Sequence, residues 1–444
     1  MTPVVRFAPS PTGRLHLGNA RIAVVNWLFA RCREGRFLLR FDDTDRERCR
    51  PEYLAAVRED LDWLGLDRDG EYRQSERGAV YEAAFARLRA QGRVYPCYET
   101  PEELAALREA ARRAGRPPRY RRGSGLPEEE RRRREGRVVP HWRFAPGEGT
   151  VRWRDLVFGP REQSLAELGD PVVRRADGSW TYLFASVVDD VDLGTSHVIR
   201  GEDHLANTGM QIALFEALGA SPPAFAHLPL LLGPDGRPLA KRGVAPTLAA
   251  LREEGIEPRA VVAVLARLGT GRPADPGDDR TTLCRDFDLA AYGRSPARLD
   301  PREIRRLSVR MLHAMSFAEA APRLRALGLR GIDERFWDAV RPNLERFEEV
   351  ADWWRICREP LSPVREEPDF LAQAAALLPE RIEDADRAAA WIAAVAEASG
   401  RRGRDLYRPL RLALTGREHG PELKCLLPLL GAARARARLE GQRA

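Results

Sequence analysis

The sequence predicts an α/β fold: a parallel-sheet domain with an inserted α+β domain, followed by an all-α C-terminal domain. Three observations predict it. The first 41 residues alternate strand, helix and strand. Residues 95 to 175 change to Arg/Glu-rich helices and short strands. From about residue 300 the chain is Ala/Leu/Arg-rich with helical periodicity and Pro/Gly breaks near 360 and 400.

In order, Val4 to Ala8 reads as a strand and Pro9 to Leu15 as a stiff Pro/Gly turn. His16 to Asn19 open an apolar helix over 19–33, and Gly35 stops it before a strand over 36–41. That strand ends at Asp42-Asp43-Thr44-Asp45, and helices follow over 51–64 and 77–91. The insertion holds the Pro117-Pro118 break, the run Arg131 to Arg134, and strands near Trp142 and over 151–153. The sheet resumes at Trp180-Thr181-Tyr182, with a helix over 183–188, a strand over 197–200, a helix start at 201–204 and a strand over 227–232. The resulting boundaries are 1–94 and 179–226 for the two halves of the sheet domain, 95–178 for the insertion, 227–300 for a connecting module and 301–444 for the helical domain.

A strand, a tight turn and a helix N-terminus make a phosphate-holding architecture, because free backbone N–H groups and the helix dipole point at the turn. The turn carries neither G-x-G-x-x-G nor G-x-x-x-x-G-K-[ST]. It carries His16, a hydrogen-bond donor for a phosphate, and Gly18, which lets a nucleotide approach the backbone. Ligands of open α/β sheets bind at the carboxyl ends of strands, which places the acids at 42–45 near that turn.

The 444 residues carry a net charge of +7 and are 31% charged, an ordinary globular composition compatible with a polyanionic partner. Six cysteines without C-x-x-C spacing argue for reduced thiols and a cytoplasmic address. No apolar run is long enough for a membrane span, and the N-terminus lacks a signal-peptide layout. Of 73 basic residues only Lys241 and Lys424 are lysine, so Lys241, in the turn-rich stretch 233–243, marks a place where a compact ammonium is needed or a solvated loop lysine.

Arg6-Phe7-Ala8-Pro9-Ser10-Pro11-Thr12-Gly13 with His16-Leu17-Gly18-Asn19 resembles the HIGH-containing start of class I glutamyl-tRNA synthetases of bacterial type. The likeness continues through Phe41 to Asp45, Tyr72 to Arg77, Val187 to Asp190 and Val198 to His204. It extends to Ala240-Lys241-Arg242, similar to the tail of a KMSKS loop, and to Pro409 to Gly416 in the helical domain. The resemblance implies a Rossmann-like catalytic domain, an acceptor-binding insertion, a stem-contact module and an anticodon-binding domain. It implies that glutamate attacks the α-phosphate of ATP, with Mg2+ on the phosphates, and that the acyl group passes from the adenylate to the terminal adenosine of tRNA-Glu.

The resemblance assigns His16 and Lys241 to catalysis, as stabilisers of charge developing on the phosphates. It assigns Ser10, Thr12, His16, Gly18, Asn19, Asp203, Leu239, Lys241 and Arg242 to ATP. Arg6, Ala8, Ser10, Asp42, Tyr182, Ser186 and Arg200 fall to glutamate, with Arg6 and Arg200 as carboxylate binders. Taken singly, Arg6 and Arg200 read equally well as ion-pair partners of Asp42 or Asp43, Tyr182 as a core tyrosine and His16 as a helix cap.

Departures set further expectations. Pro238 and Ala240 replace a lysine and a serine of the loop, which either slows activation or shifts the load to Arg237 and Arg242. Asp42 replaces the family's usual glutamate, and Ser186 stands where some members have asparagine. Some members hold zinc between cysteines of the insertion; here Cys97 is followed by Tyr98 and Glu99, Ser124 stands where a later cysteine is expected, and four ligands do not assemble locally, so no zinc is expected. Asn343 falls where an arginine that rejects the glutamine anticodon is expected, which adds tRNA-Gln as a second acceptor. Arg401, Arg402 and Arg404, with Arg434, Arg436 and Arg438, are candidate phosphate contacts or solvated faces. The expected protein is a monomer. The rivals are a glutamyl-queuosine tRNA-Asp synthetase-like paralogue, a small-molecule nucleotidyltransferase and a non-catalytic tRNA-binding paralogue.

Overall fold

The computed structural model describes residues 2–45, 47–237, 239 and 246–444. The chain divides into two units: residues 1–253 with 258–304, and residues 254–257 with 305–444.

The first unit opens with β1 (Val4–Phe7), α1 (Leu17–Arg31), β2 (Arg36–Phe41), α2 (Pro51–Trp63), β3 (Gly70–Arg73) and α3 (Gly78–Ala90). The three strands form a parallel ladder in the order β1-β2-β3. β1 and β2 are buried on both faces, as strands covered by crossover helices must be, whereas β3 at the edge is partly exposed. The expected helix over 19–33 begins two residues earlier, because His16 serves as its N-cap.

The insertion supplies β4 (Val94–Cys97), α4 (Pro101–Arg113), α5 (Glu128–Arg134), β5 (His141–Phe144), β6 (Thr150–Asp155), β7 (Gly159–Ser164) and β8 (Val172–Arg174). Strands β4, β5 and β8 make their own antiparallel sheet. The β6-β7 hairpin does not stay in the insertion; it extends the main sheet.

That extension forms with the next elements, α6 (Tyr182–Asp192), β9 (His197–Gly201), α7 (Thr208–Ala217) and β10 (Ala224–Leu228). The second ladder runs β7-β6-β10-β9, parallel across β6, β10 and β9. Ser196 joins it to the first: its N–H donates to Val4 O at 2.9 Å, and the Val4 N–H donates to Ser196 Oγ at 2.8 Å. The strand order is therefore β3-β2-β1-β9-β10-β6-β7, and successive strands are added outward in opposite directions from β1 and from β9. Such a switch point opens a crevice at the carboxyl ends of its two strands. The expected strand over 227–232 is two pieces, the end of β10 and β11 (Leu231–Leu232), because Pro229 lies between them. Helices α8 (Leu248–Glu253), α9 (Pro258–Arg267) and α10 (Arg280–Asp286) follow, and β12 (Ala297–Arg298) pairs with β11.

Cys32, the C-cap of α1, is disulfide-bonded to Cys284 of α10, with Cα atoms 4.9 Å apart. This corrects the expectation of reduced thiols for two of the six. The pair is 252 residues apart in sequence, a separation that spacing rules cannot read. Cys49, Cys97, Cys357 and Cys425 are free.

The second unit is helical, from the greater part of Pro301–Ala314 to Ala432–Leu439, around a core that includes Trp337, Phe347, Trp353, Trp391 and Leu426. Three of the expected phosphate-facing arginines serve instead as helix caps. Arg438 is fully buried and donates to Leu414 O, Ile356 O, Glu359 O and Ala444 O, while Arg436 donates to Ala375 O and Leu378 O. Arg434 likewise donates to Cys357 O and Arg358 O. The last carbonyls of a helix lack partners within it, and these guanidiniums supply them. No helix among the described residues is long and apolar enough to cross a membrane.

Candidate active site

Two strand ends and one helix start converge at the switch point. Behind β1, Pro9 O accepts the Asp42 N–H at 3.1 Å and Ser10 O accepts the Thr12 N–H at 2.8 Å, so the proline-rich turn is held against the end of β2. Ser10 and Thr12 are exposed on that turn, and Ala8, Gly18 and Asn19 are half-buried.

His16 caps α1 through its side chain: Nδ1 accepts the N–H of Gly18 at 3.1 Å and of Asn19 at 3.4 Å. Burial pushes the imidazole below its ordinary pKa, so it is neutral, with its proton on Nε2. The capping reading is thus correct, and it leaves an N–H donor on the other side of the ring. A Cβ on Gly18 would meet His16 Cε1 at 2.9 Å and Nδ1 at 3.0 Å, so glycine is required by this ring.

Lys241, Arg242, Pro238 and Ala240 lie outside the described residues. Their flanks are defined. Leu239 is buried and donates its N–H to Leu231 O at 2.9 Å, and Thr247 forms a β-bridge with His16.

The glutamate-side candidates sit in a buried charge network. Arg6, on β1, donates to both oxygens of Asp190, Nε to Oδ1 at 2.9 Å and Nη2 to Oδ2 at 3.2 Å. Arg40, on β2, binds Asp190 Oδ1 at 2.8 Å and both oxygens of Asp42, at 2.7 and 3.3 Å. Arg6 therefore pairs with neither Asp42 nor Asp43. Asp43 instead accepts the Ser75 N–H and hydroxyl at 2.8 and 2.7 Å. Burial raises Asp42 to about 6 against the pull of Arg40. Burial also acts on Asp190, but Arg6 and Arg40 outweigh it and hold that carboxyl below its usual range.

Tyr182, the first residue of α6, is half-buried, with its ring 5.5 Å from the His204 ring. One turn on, Ser186 is buried; its hydroxyl accepts from Gln211 Nε2 at 3.3 Å and its carbonyl from Arg40 Nη1 at 3.3 Å. Arg200 ends β9 beside Tyr182 and is 5% exposed. Its hydrogen-bond partners are all neutral: His227 Nε2 at 3.0 Å, Thr208 Oγ1 at 3.0 Å and the His204 carbonyl at 3.2 Å. Its Nη1 is buried without a well-formed hydrogen bond, although the Tyr182 hydroxyl is near enough to act on the guanidinium. Burial pushes Arg200 below its ordinary pKa. A buried cation with no carboxylate bound to it directly and with N–H donors to spare has the chemistry to receive a carboxylate. Asp203 is exposed just beyond β9. Asn343, in the second unit, is exposed on the turn Arg341–Asn343.

The sequence singles out the Asp189-Asp190 motif without giving it a task, and it does not reveal that Asp155 and His227 are hydrogen-bonded in a chain to Arg200. Asp155 and His227 are joined to Arg200 by sheet register, which no local pattern reports.

The insertion gathers Cys97, Glu99 and His141, all buried, with donor atoms within 4.8 Å of one another. His141 arrives because it lies opposite Cys97 in the β4-β5 register. These are donor types that zinc takes. Two of them are engaged: Arg143 Nε donates to His141 Nε2 at 3.3 Å, and Glu99 Oε1 accepts from the Tyr120 hydroxyl at 2.6 Å and the Leu126 N–H at 3.0 Å. Glu99 Oε2 is buried without a partner, and burial pushes the Cys97 thiol up to about 11.

Residues 3–282 match the catalytic domain of tRNA synthetases class I (E and Q), and residues 334–443 match an anticodon binding domain. Glutamate–tRNA ligase 1 of Parvibaculum lavamentivorans is 51% identical, over 99% of this chain and 98% of its own length. Glutamate–tRNA ligase 2 of Methylorubrum populi is 51% identical over 100% and 99%. Among solved structures, a glutamate tRNA ligase from Elizabethkingia meningosepticum, determined in complex with its amino acid, superposes with a TM-score of 0.81 at 27% identity, covering 99% of this chain and 98% of that one. The glutamate-tRNA synthetase of Elizabethkingia anophelis gives 0.79 at 28%, covering 99% of both. With its sheet domain and its helical domain both matched, the chain belongs to the class I tRNA synthetases of the E and Q type.

Proposed function

We propose that the chain is a glutamate–tRNA ligase that joins L-glutamate to tRNA-Glu through a glutamyl-adenylate, releasing diphosphate and AMP. The observation that carries this reading is Arg200, a buried cation with neutral partners and an Nη1 without a well-formed hydrogen bond at the switch point. Arg6 stands across the crevice on β1 with its guanidinium held by Asp190, whereas Arg200 has no carboxylate bound to it directly and is the cation left to take one. Tyr182 and Ser186 give it a polar wall, and Asp42, held by Arg40, with Ser10 and Ala8 closes the amino-group side.

ATP lies along the turn. Ser10, Thr12, Gly18, Asn19, Asp203 and Leu239 bound its site, and the His16 Nε2–H donates to a phosphate oxygen. Lys241 and Arg242 complete the charge stabilisation as diphosphate leaves. Mg2+ enters with the phosphates, for which oxygen ligands and water suffice. The insertion, 95–178, meets the acceptor end of tRNA, the module 227–300 its stem, and the helical domain, 301–444, its anticodon. The enzyme works as a cytoplasmic monomer without zinc: the Arg143 guanidinium already sits on His141, and Glu99 Oε1 is taken by Tyr120 and the Leu126 N–H.

Asn343 extends the reading to tRNA-Gln, because an exposed amide offers no cation to exclude that anticodon. The test is charging of tRNA-Glu, tRNA-Gln and queuosine-containing tRNA-Asp with labelled glutamate. Esterification of tRNA-Glu and tRNA-Gln is expected. Labelling of tRNA-Asp alone would move the chain to the queuosine paralogue, and tRNA binding without any charging to the non-catalytic one.

A further inference from the structure

Asp155, His227 and Arg200 end three adjacent strands, β6, β10 and β9. His227 lies directly opposite Arg200 in the β10-β9 register, and Phe225 lies opposite Asp155 in the β10-β6 register. His227 is fully buried and Asp155 is 1% exposed. Asp155 Oδ1 is anchored by the N–H groups of Val157 at 3.0 Å and Phe158 at 2.8 Å, and its Oδ2 lies 2.6 Å from His227 Nδ1.

These contacts determine the tautomer. A carboxylate only accepts, so Nδ1 carries the proton; an arginine Nε–H only donates, so Nε2 is bare and accepts from Arg200 at 3.0 Å. Thr208 and the His204 carbonyl then take Nη2. With Nε and Nη2 committed, the planar guanidinium has one orientation, and Nη1 is the donor left over.

We propose that the Asp155–His227 pair is a positioning and specificity element: it aims Arg200 at the substrate carboxylate while keeping a competing carboxylate one ring away. The proposal rests on the reading of Arg200 as a carboxylate receptor. Arg6 illustrates the alternative, since Asp190 occupies it directly in bidentate fashion. A carboxylate placed the same way on Arg200 would compete with the substrate. Through the imidazole, Asp155 fixes the geometry and supplies a counter-charge at a distance, and the near side of Arg200 remains able to prefer a carboxylate over a carboxamide.

The experiment is steady-state aminoacylation of tRNA-Glu by the full-length enzyme and four variants, with glutamate and glutamine as competing substrates. Asp155→Asn keeps Oδ1 as the acceptor for residues 157 and 158 but can turn an N–H toward His227. That forces the other tautomer and sets two donors against each other at Arg200. His227→Asn retains the bond to Asp155 and loses the bond to Arg200, whereas His227→Gln places an acceptor nearer Arg200. For Asp155→Asn and His227→Asn, glutamate KM is expected to rise about tenfold or more, the scale of one charge-assisted hydrogen bond. ATP KM and kcat should stay within about threefold, and the preference for glutamate over glutamine should fall by a similar factor. His227→Gln should recover part of both. Arg200→Gln is the control for the underlying reading. If it raises glutamate KM while the folded Asp155 and His227 variants keep wild-type KM and preference, the positioning proposal is overturned and the receptor reading stands. If Arg200→Gln itself leaves glutamate KM unchanged, both fail. Thermal unfolding of each variant identifies the folded ones, and Asp155→Asn, the mildest change, decides should the histidine variants not fold.

Discussion

His16 Nδ1 accepts the backbone N–H of Gly18 at 3.1 Å, so one histidine both caps α1 and keeps its Nε2–H free for the crevice. These two tasks separate by substitution. In His16→Asn the amide oxygen can replace Nδ1 as the cap, because asparagine is among the best N-cap residues. The Nε2–H has no replacement. The variant should unfold within a few degrees of wild type and lose about 10²- to 10³-fold in kcat, the scale of one transition-state donor. Gly18→Ala should show a smaller loss in the same assay, because its Cβ displaces the ring.

Asp190 holds two buried arginines, Arg6 and Arg40, at 2.9 and 2.8 Å. Replacing it by asparagine leaves both cations short of a counter-charge in a site closed to water. A loss of about 3–5 kcal/mol in stability is expected from denaturant unfolding. Replacing an exposed partner such as Asp45, which pairs with Arg48 on the surface, should change stability by less than about 1 kcal/mol.

Asp60, on α2, is 1% exposed with Oδ2 unpartnered, and Arg252 is 3.8 Å away. Burial outweighs that arginine and raises the carboxyl from 3.8 to about 6. In the window between those values the folded chain keeps a proton that the unfolded chain releases, so stability falls as pH rises and the loss is complete above about 6. Asp60→Asn should match wild type at pH 4 and exceed it by about 2 kcal/mol at pH 7. Urea titrations at the two pH values measure the difference.

The Cys32–Cys284 bond closes a loop of 252 residues. Thiol titration of denatured, unreduced protein should find four groups, and six after reduction. Reduction, or Cys32→Ser, should lower stability by about 2–5 kcal/mol, because the unfolded chain regains the freedom that the closed loop denies it. Activity should survive, since neither sulfur touches the crevice residues described above.

Local signals carried the reading a long way. The strand over 4–8, the helix over 19–33 and the strand over 36–41 are within two residues of β1, α1 and β2 at every end, because hydrophobic runs and Pro/Gly punctuation are properties of short segments. His16 was legible as a cap for the same reason. What depends on pairing between distant segments was not. Arg6 was offered Asp42 or Asp43 as partners, but Asp190 reaches it from α6. His227 read as the start of a strand over 227–232, whereas it lies inside β10 between Arg200 and Asp155, where only sheet register could place it. His141 was overlooked as a neighbour of Cys97 because a cross-strand pair has no signature in spacing. Arg438 read as a surface or phosphate-facing cation, yet carbonyls at the ends of other helices enclose it.

The most direct measurement of the central claim is diphosphate release by the wild-type enzyme supplied with ATP and tRNA-Glu and, in turn, glutamate, glutamine and aspartate. Release is expected with glutamate, matched one-for-one by esterified tRNA, and at least about a hundredfold less with glutamine, which lacks the charge that Arg200 awaits. Equal release with glutamine, or none with glutamate from folded protein that binds tRNA, would contradict that claim.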